Sequence, residues 1–411
     1  MQLDDFFGLS RTFIRLQNRD FHRSFVEDNP LTARFSIIVG QRGVGKTTVL
    51  IQEILKHDSD RASTRILYLP VDHFLVGRST LYEIADEFVK MGGELICFDE
   101  IHKYPAWSQE LKSIFETFPR LKIIASGSSA LEITKGSHDL SRRAIVYSMN
   151  GLSFREFITL KIGVHLDRIP LTELLEEHVR IADNIVSDLE KAGNKVMSLF
   201  HDYLKSGFYP YFVEYPDIGQ FQMTLEQGVL TTLESDLPAI HQTLNGSSIG
   251  KIKRLLAIIA DIVPYTTNLN TLKKSLDISD ERTLKNYLKY LDDAGVIMTI
   301  SNTDRGLKEM DKPNKIYLNN TNLCYALSSV KEPNIGSLRE TFMLSMLRVS
   351  HKVTVPTQGD FLIDNSITIE VGGKSKTNKQ LKGVDNSWLA LDDIEIGTGK
   401  KVPLWLFGFI Y

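Results

Sequence analysis

The sequence predicts an α/β protein with a parallel sheet in its N-terminal part and further domains behind it. Apolar runs at residues 35–39, 95–98 and 121–125 are typical of buried parallel strands, and the first of them continues through a glycine-rich turn into a helix. The 411 residues leave room for two or three domains that each bury a core of their own. The expected architecture is therefore one α/β domain followed by smaller ones.

Composition and charge argue against a protein that is basic over its whole surface and against a membrane protein. The net charge of -3 excludes a basic surface over the whole chain, so nucleic-acid binding would require a local patch. The first ten residues lack the basic and then apolar pattern of a signal peptide, and "LLAIIADIVP" is too short to span a bilayer, which predicts a cytoplasmic protein without a membrane partner. Cys97 and Cys324 are far apart and are expected to be reduced core residues.

The stretch "GQRGVGKTT" at residues 40–48, called the phosphate loop below, has the composition of an anion-binding turn. Gly40, Gly43 and Gly45 allow the backbone to curl so that its N–H groups face a phosphate, and the following helix directs the positive end of its dipole there. This pattern predicts that the whole loop binds ATP. Its members are Gly40, Gln41, Arg42, Gly43, Val44, Gly45, Lys46, Thr47 and Thr48.

Two further features predict hydrolysis with Mg²⁺. Lys46 is expected to reach the β and γ phosphates, and the Thr47 hydroxyl is expected to ligate Mg²⁺. In "ELICFDEIH" a second apolar run ends in two acids, of which Asp99 is placed to hold Mg²⁺ through water and Glu100 to polarise the attacking water as a general base.

Four weaker candidates follow in the sequence. The run at 121–125 ends in Ser126 and Ser128, which could contact the γ phosphate or the attacking water, although serine is also a common strand terminator. Arg142 and Arg143 precede another strand, where a guanidinium could neutralise charge in the transition state. A surface arginine pair explains the same residues.

Taken in order, six segments resemble bacterial and archaeal AAA-type ATPases that carry an uncharacterised C-terminal domain. The resemblance covers nearly the whole chain and rests on "GQRGVGKTT", "ICFDEIHKYPAW", "IIASGSSALEI", "DLSRRA", "LSFREF" and "YLKSGFYPYF". It implies Mg-ATP as ligand and a five-stranded parallel sheet, with the strand before Ser126 inserted between the phosphate-loop strand and the Asp99 strand. Many relatives have glycine before the arginine that matches Arg143, whereas this chain has Arg142, so either arginine could act as the finger.

The middle of the chain is predicted to be mainly helical. Residues 151–248 show helical spacing, as in "LTELLEEHVRIADNIVSDLEKAG", and are assigned to a helical lid. Residues 249–310 predict a winged-helix domain, with a short helix, a longer helix capped by Ser279 and a strand that begins at Val296. Its second helix would direct Arg282, Lys285 and Lys289 toward DNA, but neighbouring acids nearly cancel that positive charge.

Near the C-terminus, "GDFLIDNSITIEVGG" can be read as a hairpin in register. Placing the apolar residues on one face pairs Phe361 with Ile369, so that Asp360 falls opposite Glu370 with β-carbons about 5 Å apart. At that distance two carboxylates repel by roughly 1 to 4 kcal/mol unless a cation or proton intervenes. The hairpin therefore predicts a possible metal site.

The C-terminal domain of the AAA-type relatives is often likened to restriction endonucleases, which place an Asp on one strand and Glu-x-Lys on the next. Here Gly372 occupies the lysine position, and Lys374 is the candidate that could turn back toward the acids. Glu340 is a candidate third acid and Gln380 a candidate helix residue facing the site, although Ser337 and Glu340 also match a capping box. The resemblance implies a restriction-endonuclease-like α/β domain.

Two functions fit these patterns. The leading prediction is an Mg²⁺-dependent ATPase (1–150, with an N-terminal helical lead-in) that moves a lid (151–248) and a winged helix (249–310) against the C-terminal domain (311–411). The alternative is an ATP-gated binding or regulatory module whose nuclease-like domain has lost catalysis, for which Gly372 is the main support. DNA or RNA, a protein partner and a homo-oligomer are left open.

Overall fold

The structure is a computed structural model that describes residues 3–127, 140, 142–241, 243–266, 268–302, 313–329 and 332–411. The chain divides into two compact units. The first comprises Met1–Gly151 and Ser235–Thr243, and the second comprises Leu152–Glu234 and Leu244–Tyr411. Residues 235–243, which the sequence assigns to the lid, therefore cluster with the phosphate loop.

The first unit is built on a five-stranded parallel sheet. The strands are β1 Phe35–Val39, β2 Ile66–Pro70, β3 Leu95–Asp99, β4 Lys122–Gly127 and β5 Ile145–Ser148. Their order is β2-β3-β4-β1-β5, and every neighbouring pair is parallel. The predicted insertion of β4 between the phosphate-loop strand and the Asp99 strand is confirmed.

Apolar side chains hold this sheet between helices. Strands β1, β2 and β3 are buried along their whole length, as expected for a parallel sheet that is covered on both faces. Phe35, Leu67, Phe98 and Ile123 are among the members of the resulting core. The helices of this unit are Leu3–Gln17, Ser24–Asp28, Lys46–His57, Val76–Arg78 (3-10), Leu81–Lys90, Ile101–Lys103 (3-10), Trp107–Thr117 and Leu237–Ile240.

The second unit begins with helices. They are Phe154–Ile162, Leu171–Lys191, Val196–Asp202, Tyr203–Gly207 (a π turn), Pro210–Glu214 (3-10), Ile218–Thr231 and Gly246–Ile262, and a π turn Thr232–Asp236 crosses the boundary between the units. Aromatic rings fill the interior of this region: Phe154 lies within 5.5 Å of both Phe200 and Tyr203 by ring centroid, and Phe200 packs edge-on against Phe342. Burial of such rings stabilises a helical assembly efficiently.

A small sheet follows in the same unit. Strands β6 Tyr265–Thr266, β7 Ile297–Ile300 and β8 Lys315–Leu318 pair antiparallel in the order β6-β8-β7, with helices Leu269–Ser275 and Glu281–Asp293 between β6 and β7. Two details differ from prediction. The cap of the longer helix is Asp280, whose Oδ1 accepts from the backbone N–H of Arg282, and the strand begins at Ile297 rather than at Val296.

The C-terminal sheet contains strands β9 Val353–Thr354, β10 Phe361–Ile363, β11 Ile367–Gly373, β12 Ser387–Asp392 and β13 Lys401–Pro403 in the order β13-β12-β11-β10-β9. The remaining helices of the unit are Thr321–Leu327, Ile335–Leu347, Asn378–Leu381 (3-10) and Leu404–Phe409 (3-10). The predicted hairpin register is confirmed, because Phe361 pairs with Ile369 and Ile363 pairs with Ile367.

The apolar run "VPLWLFGFIY" at residues 402–411 predicts a core strand at the C-terminus, and this prediction was wrong beyond Pro403. Residues 404–409 form a fully buried 3-10 helix, because an apolar run alone does not distinguish a strand from a buried helix. Among the described residues, no helix has both the length and the apolar character needed to cross a membrane.

Candidate nucleotide site

The phosphate loop requires glycine at three points. Gly43 and Gly45 have φ of 85° and 100°, in the left-handed region, and Gly45 precedes helix Lys46–His57. A β-carbon at Gly40 would lie 2.2 Å from the carbonyl oxygen of Met149. Side chains at these positions would therefore change the loop, which supports the anion-binding shape predicted from the sequence.

Lys46 is buried in the loop. Its Nζ donates to the carbonyl oxygens of Gly40 at 2.9 Å and Gln41 at 2.8 Å. Burial lowers the pKa of Lys46, whereas the nearby carboxylates of Glu100 and Asp99 act to raise it. The ammonium group therefore lies where the loop carbonyls already favour a positive charge.

The carboxylate of Asp99 joins several elements at the ends of the strands. Its Oδ2 accepts from the Thr47 hydroxyl and from the Tyr68 hydroxyl, both at 2.6 Å, and its Oδ1 accepts from the Ser126 hydroxyl. Thr47 and Asp99 therefore lie side by side, as two oxygen donors suited to Mg²⁺. Tyr68 was missed by sequence reasoning, because a continuously apolar, fully buried strand gives no signal for a functional tyrosine.

Glu100 follows β3 in an unusual backbone conformation. Its φ of 57° and ψ of 40° are left-handed, which costs on the order of 1–3 kcal/mol for a non-glycine residue. Its backbone N–H donates toward Asp99 Oδ1 and Ser126 Oγ, while its buried side-chain Oε2 has no hydrogen-bond partner. The strained backbone and the unsatisfied oxygen are both typical of a functional acid.

His102 is a second residue that the sequence did not identify. Its Nε2 lies 3.4 Å from Oε2 of Glu100, and burial lowers the pKa of His102 to about 4. The imidazole is therefore neutral at physiological pH, and it does not neutralise Glu100 as an ion pair would. His102 therefore supplies no positive charge beside Glu100.

Of the four weaker candidates predicted for this site, the structure brings one to Asp99. Ser128 lies outside the described residues, whereas Ser126 reaches Asp99. Arg143 forms a surface ion pair with Glu116, with its Nε 3.0 Å from Oε1, and Arg142 is exposed. A finger role for either arginine stays a prediction.

Arg23, which precedes the predicted motifs, holds the back of the loop. Its buried guanidinium donates to the carbonyl of Val44 at 2.7 Å and to the carbonyls of Asn150 and Gly151 at 2.9 and 2.8 Å. One side chain thus ties the phosphate loop to the segment that leaves β5. No local motif marks an arginine of this kind, and only the folded chain brings its partners together.

Asp236 also belongs to the first unit and was not predicted. Its carboxylate is 4% exposed, and its Oδ2 lies 4.0 Å from a terminal nitrogen of Arg42 in the phosphate loop. Burial raises the pKa of Asp236, while the cations Arg42, Lys103 and Lys46 act to lower it. A third acid therefore lies in the field of the phosphate loop.

In the second unit, the two acids of the hairpin are both satisfied by neighbours. Oδ2 of Asp360 accepts from the backbone N–H of Val371 at 2.9 Å, and its Oδ1 lies 3.7 Å from Nζ of Lys315. Glu370 is buried, and its Oε1 lies 2.5 Å from Nζ of Lys376. Burial raises the pKa of Glu370, and Asp360 adds to that effect while Lys376 opposes it.

The lysine that joins this cluster is Lys376, two residues beyond the predicted Lys374, which is exposed. A β-carbon at Gly372 would lie 2.7 Å from Cβ and Cγ of Lys376. Glycine at the expected lysine position therefore leaves the space through which the Lys376 stem reaches Glu370. Gln380 is exposed on a short 3-10 helix, and its place at the site stays a prediction.

Glu340 does face this cluster, but the capping-box interpretation of it was wrong. Asn334 caps helix Ile335–Leu347, and its Oδ1 accepts from the N–H of Ser337. Glu340 Oε2 instead accepts from the Tyr317 hydroxyl at 2.8 Å and lies 3.5 Å from Nζ of Lys315. Burial and the charge of Asp360 raise the pKa of Glu340.

The described residues contain one group of three potential ligands whose donor atoms lie within 4.8 Å of one another, namely His201, Asp392 and Asp393. Arg339 already neutralises its acids, with Nε 2.8 Å from Asp392 and Nη2 3.2 Å from Asp393. The acids Glu340, Asp360 and Glu370 are not in that close arrangement. In the second unit, lysines and an arginine therefore supply the positive charge beside the acids.

Two separate stretches of the chain match protein families. Residues 32–158 match an AAA domain family, AAA_14, and residues 197–334 match a domain of unknown function, DUF8612. The first match contains the phosphate loop, Asp99 and Glu100. The N-terminal part of the chain is therefore an AAA-type ATPase-like domain with a P-loop core. A comparison with curated proteins finds no match.

Solved structures with similarity to this chain are distant. The Walker-type ATPase PABY2304 of Pyrococcus abyssi has a TM-score of 0.38 and 11% identity, and the match covers 76% of this chain and 97% of that chain. Domain III of the replication initiation protein DnaA of Thermotoga maritima has a TM-score of 0.25 and 14% identity, over 48% and 91% of the two chains. Saccharomyces cerevisiae RIF2 has a TM-score of 0.29 and 13% identity, over 60% and 96%.

Replacing Arg23 with alanine should weaken ATP binding, because three carbonyls that meet at its guanidinium lose their donor. We expect a loss of roughly tenfold or more in ATP affinity and a lower melting temperature, since breaking a buried charged network costs about 3 kcal/mol. Titration calorimetry and thermal melts measure the two effects. Arg15→Ala, at an exposed arginine of the first helix, is the control. Equal affinity in Arg23→Ala and wild type would contradict this role.

Proposed function

We propose that the first unit binds and hydrolyses ATP with Mg²⁺. The observation that best supports this is the arrangement around Asp99, whose carboxylate is hydrogen-bonded to Thr47 while Glu100 follows directly with an unsatisfied oxygen. An oxygen pair suited to a divalent cation thus lies next to a buried lysine and a base. These are the groups that phosphoryl transfer to water requires.

Each residue has a proposed role in that reaction. Lys46 exchanges the loop carbonyls for phosphate oxygens, and the loop N–H groups bind the same anion. Thr47 and Asp99 would hold Mg²⁺, which would stabilise the negative charge of the phosphate oxygens. Glu100 orients a water molecule and accepts its proton. Ser126 and Tyr68 keep the Asp99 carboxylate in place by donating to it.

Lys46→Ala should abolish measurable nucleotide binding. Removal of the buried ammonium takes away a charge-assisted contact to phosphate, for which we expect a loss of roughly 100-fold or more in affinity. Calorimetric titration of the full chain with Mg-ATP tests this. Lys56→Ala, at an exposed lysine in the last turn of the same helix, should bind as wild type does. Unimpaired binding by Lys46→Ala would contradict the assignment of the site.

Glu100→Gln should retain ATP and release phosphate slowly. Glutamine keeps the size of the side chain but cannot accept the proton, so turnover should fall by roughly 100-fold or more. Steady-state phosphate release and the retention of labelled ATP after gel filtration are the measurements. Glu94→Gln, at an exposed acid paired with Arg65, is the matched control. Unchanged turnover would refute the role of Glu100 as base.

A second proposal concerns the C-terminal sheet, which we infer to be a restriction-endonuclease-like domain that acts on DNA or RNA. The close contact of Lys376 with Glu370, made possible by Gly372, supports it, because a lysine beside a strand carboxylate is what that chemistry needs. The order of β6, two helices, β7 and β8 supports a winged-helix module in the same unit. In that module Lys285 forms an ion pair with Glu281, which weakens the electrostatic attraction that Lys285 could exert on a DNA phosphate.

Glu370→Gln should abolish any Mg²⁺- or Mn²⁺-dependent cleavage of DNA or RNA, because the carboxylate is the proposed metal ligand on β11. Gel assays over single- and double-stranded substrates measure this, with the exposed acid variant Glu395→Gln as control. Cleavage that persists in Glu370→Gln would contradict the site. ATP- and salt-dependent binding without cleavage would instead favour the alternative, an ATP-gated binding or regulatory module.

A further inference from the structure

Asp236 occupies an uncommon position for an acid. It precedes the short helix Leu237–Ile240, and its side chain makes no capping hydrogen bond there. It lies in the nine-residue stretch that clusters with the phosphate loop, although residues on both sides of that stretch belong to the second unit. Its position therefore connects the field of the nucleotide site to a segment that is continuous with the second unit in the chain.

The carboxylate of Asp236 is incompletely compensated. It is 96% buried, and its Oδ2 has no hydrogen-bond partner. Arg42 is the nearest cation, but at 4.0 Å the pair lacks a hydrogen bond, and the arginine side chain is 45% exposed. A buried carboxylate without a donor is costly, so small changes in the surrounding charge have large effects on it.

The groups around the nucleotide site also favour competition between Asp236 and a bound phosphate. The carboxylates of Glu100, Asp99 and Asp236 all act on Lys46, and Arg42 is the other cation that acts on both Lys46 and Asp236. Lys103 is already paired with Asp72 at 2.6 Å, and His102 is neutral. An arriving phosphate therefore meets an acid that competes with it for Arg42 and Lys46.

We propose that Asp236 sets the preference of the site between nucleoside triphosphate and nucleoside diphosphate, by repelling the terminal phosphate and competing with it for Arg42. This inference rests on the proposed ATP-binding function and adds a specificity-determining residue to it. The γ phosphate brings additional negative charge to the end of the nucleotide that Lys46 contacts, so the repulsion acts more strongly on triphosphate than on diphosphate. When the triphosphate binds, Asp236 must yield Arg42 to it.

The test compares the affinities of the full-length protein for Mg-ADP and for the non-hydrolysable triphosphate analogue AMP-PNP with Mg²⁺. Asp236→Asn removes the charge at nearly constant volume. We expect AMP-PNP affinity to rise by roughly five- to tenfold and ADP affinity to rise less, as judged from Coulomb interaction at an intermediate dielectric. Titration calorimetry supplies the ratio of the two dissociation constants.

Glu234→Gln is the matched control. Glu234 lies two residues away, is half-exposed and forms an ion pair with Lys253, so removing its charge should leave the ratio of the two dissociation constants unchanged. Asp236→Ser repeats the charge removal with a smaller side chain, in case the asparagine variant does not fold. A circular-dichroism melt of each variant establishes that it is folded.

Three results separate the outcomes. A larger gain for AMP-PNP than for ADP in Asp236→Asn or Asp236→Ser supports the inference. Equal changes for both nucleotides, no change, or weaker AMP-PNP binding in a folded variant would overturn it, and the last would instead make Asp236 a positioning acid for the metal or the water. If the wild-type protein binds neither nucleotide, the proposed ATPase function fails as well, so the two failures are distinguishable.

Discussion

The buried carboxylate of Asp99 is the interaction on which the nucleotide site depends. It ends β3, accepts from Thr47 at the start of a helix, from Tyr68 on β2 and from Ser126 on β4. Several elements of the sheet thereby meet at one carboxylate. Since a buried polar group is costly unless it is hydrogen-bonded, the same contacts that stabilise the strand ends also orient the group that would face Mg²⁺.

The predictable features are those that depend on residues close together in the sequence. A phosphate loop needs glycine where φ is positive, as at Gly43 and Gly45, and this requirement is visible in the letters of the sequence. The hairpin register was predictable for a similar reason, because alternation of apolar residues permits one pairing of Phe361 and Ile369. Arg23 and Asp236 were not predictable, because Arg23 lies 21, 127 and 128 residues from its three partners and Asp236 lies 194 residues from Arg42.

The errors have physical causes of their own. Strand alternation places the expected lysine at Gly372, and Lys374 was predicted because its flexible side chain could turn back toward the acids. Lys376 arrives through the space left by Gly372. The apolar C-terminus folded as a 3-10 helix, because burial on all sides removes the periodicity that separates helix from strand. Glu340 matched a capping box, but Asn334, three residues before Ser337, is the cap.

The acids near the phosphate loop and those on the C-terminal sheet differ in whether neighbouring side chains compensate their carboxylates. This difference affects how readily each group of acids could bind a cation. Near the phosphate loop, side-chain oxygens of Glu100 and Asp236 are buried without hydrogen-bond partners, so a bound cation or donor would relieve an existing cost. On the C-terminal sheet, Glu370 is paired with Lys376 and Glu340 with Lys315 and Tyr317, so a metal ion would first have to displace contacts that already stabilise the acids. A cation on the C-terminal sheet would therefore compete with lysines for the same carboxylates, whereas in the first unit it would meet carboxylate oxygens without hydrogen-bond partners.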